Sequence, residues 1–575
     1  MRQGLPALAW SLALALGLWA SEAFGVPVNI GPYEGVFDSS LSWTARWSTQ
    51  AADAAHVGAA AGGRAAHGAA DDGRLGFERG DLVWHRLEGE HALELRREDN
   101  GLYLRGRYWR TFEPDIAGDG AWPRAAREQG AEWLDAFFFL GTRWGEQPGT
   151  LRIGRQRLFW GESRLFEQGI DSLNPLDEAR AFGPVADRQA AARPLGMLHV
   201  HQSLGDRLAV EGFHALEWQP DLAEGCGRFA ARDDVSLDGC DRFDTGVPAT
   251  AAMAEVARAQ GVGYRRGAQG VGIPIAGGGE PGAAGQYGLA LRGFGETLSG
   301  ALYYVQLHAR RPYIGFEHAS EAVFADLPAA LAVTDASLGG GLDAAGRAAL
   351  LAQQRQAVLQ GNARFTRAYP ESIALWGASL NGWLPGGLRW AGELSYRPDA
   401  PLQVDPQVLL GRLEDAALAG QVDPGYRRRE LYNARLRVER RLDGLPLADA
   451  GQFEAELGGV RIGGLGPPGG ALRFAELAGQ PYTRSAWGYR LRGELTWRDR
   501  WPRVDLTPSL AFAHDVNGTG PGGQFVEGAR AVALGLAADY LGTYRVAVGY
   551  TAFFGREADW RSDRDFAELR LSVRF

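Results

Sequence analysis

The chain has 575 residues and a net charge of -9, from 69 acidic and 60 basic side chains, and no lysine occurs among the basic ones. That balance argues against nucleic acid as a partner, and the absence of lysine removes Schiff-base chemistry and the lysine-dependent phosphate loop. No repeat of long fixed period and no Pro/Ser-rich linker divides the sequence, which points to one large closed structure rather than several small domains.

Met1-Arg2, the apolar run over 5–20 and the small residues Ala23-Phe24-Gly25 predict a signal peptide over 1–25, with the mature chain beginning at Val26. No later stretch stays apolar for the ~20 residues that a helical membrane span needs. Instead the mature chain opens on period-two alternation. Phe37, Leu41, Trp43, Ala45 and Trp47 share one face, and Asp38, Ser40, Ser42, Thr44 and Arg46 share the other.

The pattern recurs. His91, Leu93 and Leu95 alternate with Glu90, Glu94 and Arg96, and after Asp99-Asn100-Gly101 come Leu102, Leu104 and Tyr108 against Arg105 and Arg107. Asn-Gly is a strong tight-hairpin signal, so the turn is expected at 100–101. Further strands are predicted over 131–142, 150–158, 195–203, 207–219, 285–294 and 300–311. The second half adds 371–381, 387–397, 428–440, 451–460, 485–497, 503–513, 529–541, 544–555 and 565–575.

The connections largely alternate between short (100–101, 205–206, 295–299, 381–386, 542–543) and long (159–194, 220–284, 312–370, 398–427). That asymmetry, with strands of ten or so residues, predicts an all-β, transmembrane, antiparallel up-and-down barrel of about eighteen strands, with about sixteen as the lower bound. Residues 26–575 form its single domain. The expected home is the outer membrane of a Gram-negative cell, with both termini in the periplasm, long loops outside, and outer-membrane lipids and lipopolysaccharide around it. The chain end, with Ala567, Leu569, Leu571, Val573 and Phe575 on one face, looks like the signal read by the outer-membrane assembly machinery.

If the apolar face meets lipid, the other face lines the lumen. Its candidates are Arg96, Arg105, Arg107, Asp135, Arg152, Glu211, Arg292, Arg310, Glu393, Arg435, Arg437, Glu454, Arg490, Arg492 and Glu494. Mixed signs on neighbouring strands predict cross-strand ion pairs rather than a purely anion-attracting pore. His199 and His201 share a face, and a three-residue turn after them sets His199 opposite Glu211. That arrangement reads as a hydrogen-bonded wall pair ahead of a metal site. Segment 159–194 lacks alternation and carries Trp160, Glu162, Ser163, Arg164, Phe166, Asp171, Asn174 and Asp177, which predicts a loop folded inward to narrow the pore.

Other loops carry their own signals. The exported Cys226 and Cys240 share the loop 220–284 and are expected to form a disulfide, with two free thiols as the alternative. A short surface helix is expected over 343–360 within the loop 312–370, and the Gly/Ala tract 51–70 is expected to be mobile. Enzyme readings are weak. HExxH and GxSxG are missing, and the GxGxxG of Gly277, Gly279 and Gly282 lies among loop residues. Ser163 with a wall histidine is the one catalytic pairing left open, and no cofactor or metal is expected.

Phe37-Asp38-Ser39-Ser40-Leu41-Ser42, Asp71-Asp72-Gly73 with Gly80-Asp81, Gly154-Arg155-Gln156 with Trp160-Gly161-Glu162-Ser163, and Leu173-Asn174-Pro175 with Asp177 form a distinctive set. Asp238-Gly239-Cys240-Asp241, Tyr369-Pro370-Glu371, Ser395-Tyr396-Arg397-Pro398, Pro508-Ser509-Leu510 and His514-Asp515-Val516 with Gly518 extend it over nearly the whole mature chain. In these the sequence resembles the domain-of-unknown-function 1302 family of Gram-negative outer-membrane proteins. The resemblance implies partnership with periplasmic or lipoprotein factors and RND-type exporters, and traffic in hydrophobic compounds. It assigns no catalytic or ligand residue. The expected function is passage of small hydrophobic or amphipathic, lipid-like molecules. The alternatives are a general or carboxylate-selective porin and, from another class, a surface enzyme or adhesin.

Overall fold

The computed structural model describes residues 25–58, 62–65, 75–113, 128–184, 188–267, 270–338, 341–466, 472–476 and 480–575. The signal peptide expected over 1–25 lies outside them except for Gly25, as does part of the tract 51–70. In the described part of that tract, Val57 is buried and Asp53 and His56 hydrogen-bond Asp563 and Ser562, so this portion is packed rather than loose.

The barrel strands are β1 (Tyr33–Ser48), β2 (Leu82–Arg97), β3 (Asn100–Phe112), β4 (Gln129–Trp144), β5 (Gln147–Gln156), β6 (Leu195–Ser203), β7 (Leu208–Ala215), β8 (Tyr287–Phe294) and β9 (Leu298–Leu307). They continue as β10 (Ile373–Leu384), β11 (Leu388–Gln403), β12 (Tyr426–Leu445), β13 (Ala448–Ile462), β14 (Ser485–Trp501), β15 (Val504–Asn517), β16 (Arg530–Tyr540), β17 (Tyr544–Phe554) and β18 (Phe566–Arg574). Each pairs antiparallel with its sequence neighbours, and β18 pairs back onto β1 from Ser48↔Phe566 to Ser40↔Arg574, closing eighteen strands into a ring. A short N-terminal strand, Val26–Ile30, pairs only with Tyr33–Phe37 of β1.

Every connection at the end holding the chain termini is two to four residues long, whereas those at the other end run to eleven or more. Closure removes all sheet edges, and the outward face is apolar. Trp133, Phe138, Leu302 and Leu394 are 61%, 60%, 61% and 63% exposed. Water would penalise such a surface, and lipid rewards it, so the fold is a transmembrane barrel. Aromatic residues band both ends of the outer wall, with Trp376, Tyr432 and Trp487 toward the long loops and Trp144, Trp383 and Trp501 toward the termini. No helix among the described residues is long and apolar enough to cross a membrane.

Three expectations of position are corrected. The first hairpin turns at Glu98-Asp99, since Arg97 pairs with Asn100, and Glu98 takes the left-handed conformation (φ 55°), so Asn100-Gly101 already belongs to β3. Ser203 pairs with Ala209 rather than Arg207, a register two residues further on, which sets His201 rather than His199 opposite Glu211. Arg310 lies beyond the end of β9, because the ladder with β10 stops at Leu307↔Ile373.

Above the long-loop end sits a folded cap that period-two reading does not reveal. Besides a seven-residue helix over Pro406–Arg412, its helices are α1 (Ala251–Ala259), α2 (Glu321–Ser337) and α3 (Ala344–Gly361). The last is the expected helix, and Asp343 caps it by accepting from the Gly346 amide at 2.8 Å. Two three-stranded sheets, Arg242–Asp244 with Arg265–Gly267 and Gly270–Pro274, and Tyr313–Glu317 with Arg364–Ala368 and Val422–Asp423, complete it. Phe243, Ile273, Phe316, Phe365, Leu402 and Leu410 form its core and continue into the barrel mouth through Phe166 and Phe525. Cys226 and Cys240 are joined in a disulfide across 14 residues, with 5.3 Å between their Cα atoms.

Candidate functional site: an inward loop gripped by the barrel wall

The segment between β5 and β6 does not leave the barrel. It enters the lumen and lies along the inner wall from β6 to β14, because its residues lack the alternation needed to pair as a strand but carry aromatics and amides that the wall can bury. On one side Leu158, Trp160, Ile170 and Leu173 pack against inward-facing Leu195, Met197, Phe213, Tyr303, Val305 and Leu375 of β6 to β10. This apolar stretch of inner wall is absent from the polar lumen expected above. Its signal was present at the start of β6, where Leu195 and Met197 precede His199 and His201 on one face and Leu198 and Val200 occupy the other.

On the adjoining strands β11 to β13 the contact is made by charge. Glu393 of β11 accepts from the amides of Glu162 (2.7 Å), Ser163 (3.1 Å) and Ile170 (3.3 Å). Glu456 of β13 accepts from the Ser163 hydroxyl (2.6 Å) and from the amides of Arg164 and Leu165 (both 3.0 Å). Guanidiniums take the carbonyls. Arg437 donates to Glu162 O (3.0 Å), Arg435 to Glu167 O (3.1 Å), Arg397 to Gln168 O (2.6 Å), and Arg310 to Ser172 O and Leu173 O (2.9 and 2.7 Å). The wall thus reads the loop backbone by alternating sign. Charge-assisted bonds of this kind are roughly twice as strong as neutral ones.

The aromatic side chains lock the ends. Trp160 donates its indole N–H to Glu211 (2.7 Å), whose carboxylate also meets Arg292 (2.9 Å) and His201 (3.2 Å). Phe166 lies beneath the guanidiniums of Arg435 and Arg490, 5.0 and 4.6 Å from its ring centre. Asn174 closes the loop base by bonding both backbone groups of Leu158, and Asp177 reaches β3 through Arg107 (3.6 Å). Burial alone would raise the Glu167 carboxyl, but Arg311 and Arg188 beside it hold it at about 2. For Asp171 burial dominates and the carboxyl is pushed up. The Ser163 hydroxyl is tied to Glu456 and the Phe166 carbonyl, and among the described residues no histidine hydrogen-bonds it, so the serine–histidine pairing has no geometric support.

The remaining sequence candidates fall on the inner face. Arg105 bridges Glu90 and Asp135 (3.3 and 2.6 Å), and Arg437 bridges Glu439 and Glu454 (2.5 and 3.3 Å). Arg490 pairs with Asp515 (2.7 Å), Arg492 with Glu494 (3.8 Å), and Arg152 lies over Phe137. Arg96 sits at the termini end of β2, its side chain turned to the Glu98 carbonyl (2.8 Å), away from the inward loop. Sequence reasoning missed Glu456 as a loop anchor, although it alternates in phase with Glu454.

Above the loop lies a cavity of about 270 Å³ in which Phe166, Phe182, Tyr313, Tyr482, Phe525 and Trp560 alternate with Arg188, Arg232, Arg311, Arg490 and Arg561. Among the described residues no cluster of His, Cys, Asp and Glu is arranged to hold a metal ion.

A family model described as a protein of unknown function (DUF1302) matches residues 7–575. No curated protein matches the sequence. Among solved structures, Acinetobacter baumannii OccAB4 is 9% identical with a TM-score of 0.39, covering 94% of this chain and 97% of its own. Pseudomonas aeruginosa OpdL is 11% identical with a TM-score of 0.38 over 95% and 99%. The outer-membrane channel DcaP of Acinetobacter baumannii is 7% identical with a TM-score of 0.36 over 96% and 100%. Likeness at this level assigns no residue and no substrate to the chain.

Proposed function

The chain belongs to the DUF1302 family of proteins of unknown function, and from that premise we propose that it is an outer-membrane transport barrel for small amphipathic molecules, gated by its own inward loop. The observation that carries the reading is the grip on residues 159–173. A lumen occupied by a segment held through many individually breakable polar contacts is built to be closed at rest and opened on demand. The cavity above the loop supports the substrate class, since aromatic faces suit an apolar body and arginine forks suit an anionic head.

In this reading the long loops and cap face the exterior and both termini face the periplasm. A periplasmic or lipoprotein factor and an RND-type exporter are the partners expected on the termini side.

A second reading, a carboxylate-selective porin, draws on the inner-wall arginines Arg105, Arg389 and Arg492, which stand beside Glu90, Glu439 and Glu494 respectively. Bilayer conductance of the purified barrel separates the two. Gated transport predicts a wild type with little steady conductance and a deletion of 159–173 that conducts. A wild type with steady, anion-selective channels, unchanged by the deletion, favours the porin and refutes the gate. A barrel that neither conducts after deletion nor binds amphiphiles returns the question to a surface enzyme or adhesin.

A further inference from the structure

The ladder between β10 and β11 runs from Leu384↔Leu388 to Trp376↔Tyr396 and stops there, although both strands continue. Above that point residues 373–375 stay paired with β9, as far as Leu307↔Ile373. Residues 397–403 pass through a bulge and stay paired with β12, as far as Gln403↔Tyr426. The seam therefore splays open toward the long-loop end.

Polar side chains, not a ladder, bridge the splay. Asp399 accepts from the Ala374 amide (3.2 Å), and Arg428 donates to Asp399 (3.0 Å) and to the Glu371 carbonyl (2.7 Å). Arg428 and Asp399 are both about one third exposed at their side chains, at 37% and 31%. Backbone groups left out of a ladder are intolerable in hydrocarbon, so this break belongs at headgroup level. The aromatic row just below it agrees. Tyr304, Trp376, Tyr396 and Tyr432 are successive cross-strand partners on the outer face.

The two sides of the seam differ. Behind it is an amphipathic cavity of about 190 Å³, where Val305, Leu375, Leu402 and Leu431 share the lining with Arg310, Arg311 and Arg397. In front, on the outer wall, runs an open apolar trough of about 1030 Å³. Its floor follows from the register, because Ala378, Leu394, Ala434 and Gly459 are successive partners and three of the four are small.

We propose that this seam is a lateral portal, latched by Arg428 and Asp399, through which an amphipathic carboxylate with an alkyl tail passes between the inner cavity and the membrane layer on the long-loop side. The inference rests on the transport reading and specifies its route. The tail lies along the trough, the head meets the exposed guanidinium, and parting of one ion pair opens two neighbouring strands whose backbones are not zipped at that level.

The test uses the full-length barrel in lipid vesicles with a photoreactive twelve-carbon carboxylate, and adducts are mapped by peptide mass spectrometry. Wild type is expected to be labelled outside, at Trp376 and Tyr396, and inside, at Leu402 and Leu431. In a double variant, Ala374→Cys with Asp399→Cys, bridged by a short cleavable bis-thiol reagent, inside labelling should fall at least tenfold while outside labelling persists. Cleaving the bridge should restore it, with identically treated wild type controlling for the native Cys226–Cys240 bond. Heat-modifiable mobility on gels establishes that the bridged barrel is folded. Inside labelling that survives the bridge overturns the portal and leaves transport through the mouth standing. Absence of inside labelling in wild type overturns both the portal and the amphipathic-transport reading.

Discussion

Replacing Glu393 by alanine should release the inward loop without unfolding the barrel. The carboxylate accepts three loop amides, those of Glu162, Ser163 and Ile170, in a position only 3% exposed. A buried donor left unpaired costs about 1–3 kcal/mol. Water can reach the vacated space from the lumen, so the lower bound applies, and three donors give about 3 kcal/mol. At 1.4 kcal/mol per factor of ten this shifts the docked-to-released ratio by roughly a hundredfold. The barrel ladders through β11 are backbone to backbone and do not depend on this side chain, so heat-modifiable mobility should be unchanged. Two assays follow the loop itself, single-channel conductance, which should rise, and cleavage by trypsin at Arg164, which should accelerate. A folded Glu393→Ala barrel with wild-type conductance and undiminished protection of Arg164 would refute the claim that this carboxylate holds the loop.

Glu167 supplies a pH signature. Its folded pKa of about 2 lies below its ordinary 4.5, so its hold on Arg311 and Arg188 is complete above about pH 4.5 and disappears as the pH falls through about 2. The conductance difference between wild type and Glu167→Gln should therefore be full at pH 6 and vanish across that window, and a difference that persists at pH 2 would exclude the mechanism. Replacing both Cys226 and Cys240 by serine should leave the barrel intact but loosen the cap by roughly 3 kcal/mol, read as faster proteolysis between residues 220 and 284. Thiol reagents should label neither cysteine of the unreduced, denatured wild type. Deleting Phe575 removes a reciprocal backbone pair with Ser39 (2.9 and 2.7 Å) and the aromatic chain end. The variant should be depleted from the outer membrane far beyond what two hydrogen bonds account for, and normal amounts of heat-modifiable barrel there would contradict an assembly signal.

The barrel was legible because alternation is a property of residues in place. Trp43 and Arg46 declare opposite faces of β1 whatever surrounds them, and repetition over eighteen segments removes the ambiguity of any one. The inward loop was legible for the converse reason, since 159–194 carries buried-type aromatics with no strand period to place them in a wall. What stayed hidden depends on partners distant in sequence. Strands of three residues such as Arg265–Gly267 have no period to detect. Helix α2 contains Pro328, which reads as a break in any helical period. The His201–Glu211 pairing turned on a register shift of two residues between β6 and β7. Glu393 looked like any lumen carboxylate, because its distinction lies in which amides come to it, and those arrive from more than 220 residues away in sequence.

The N-terminal strand has a mechanical consequence. Val26–Ile30 occupies the flank of β1 at Tyr33–Phe37, and β18 occupies the same flank from Ser40 to Ser48, with Phe575 abutting at Ser39. The two strands meet end to end along one edge, so the first acts as a buffer against which the last strand comes to rest. A slip of β18 by two residues toward the termini would preserve every inward and outward side chain, and alternation alone cannot forbid it. The buffer does forbid it, because the positions it would need are taken. Since stagger and strand number together set a barrel's girth, these five residues work as a gauge that fixes the circumference of the ring.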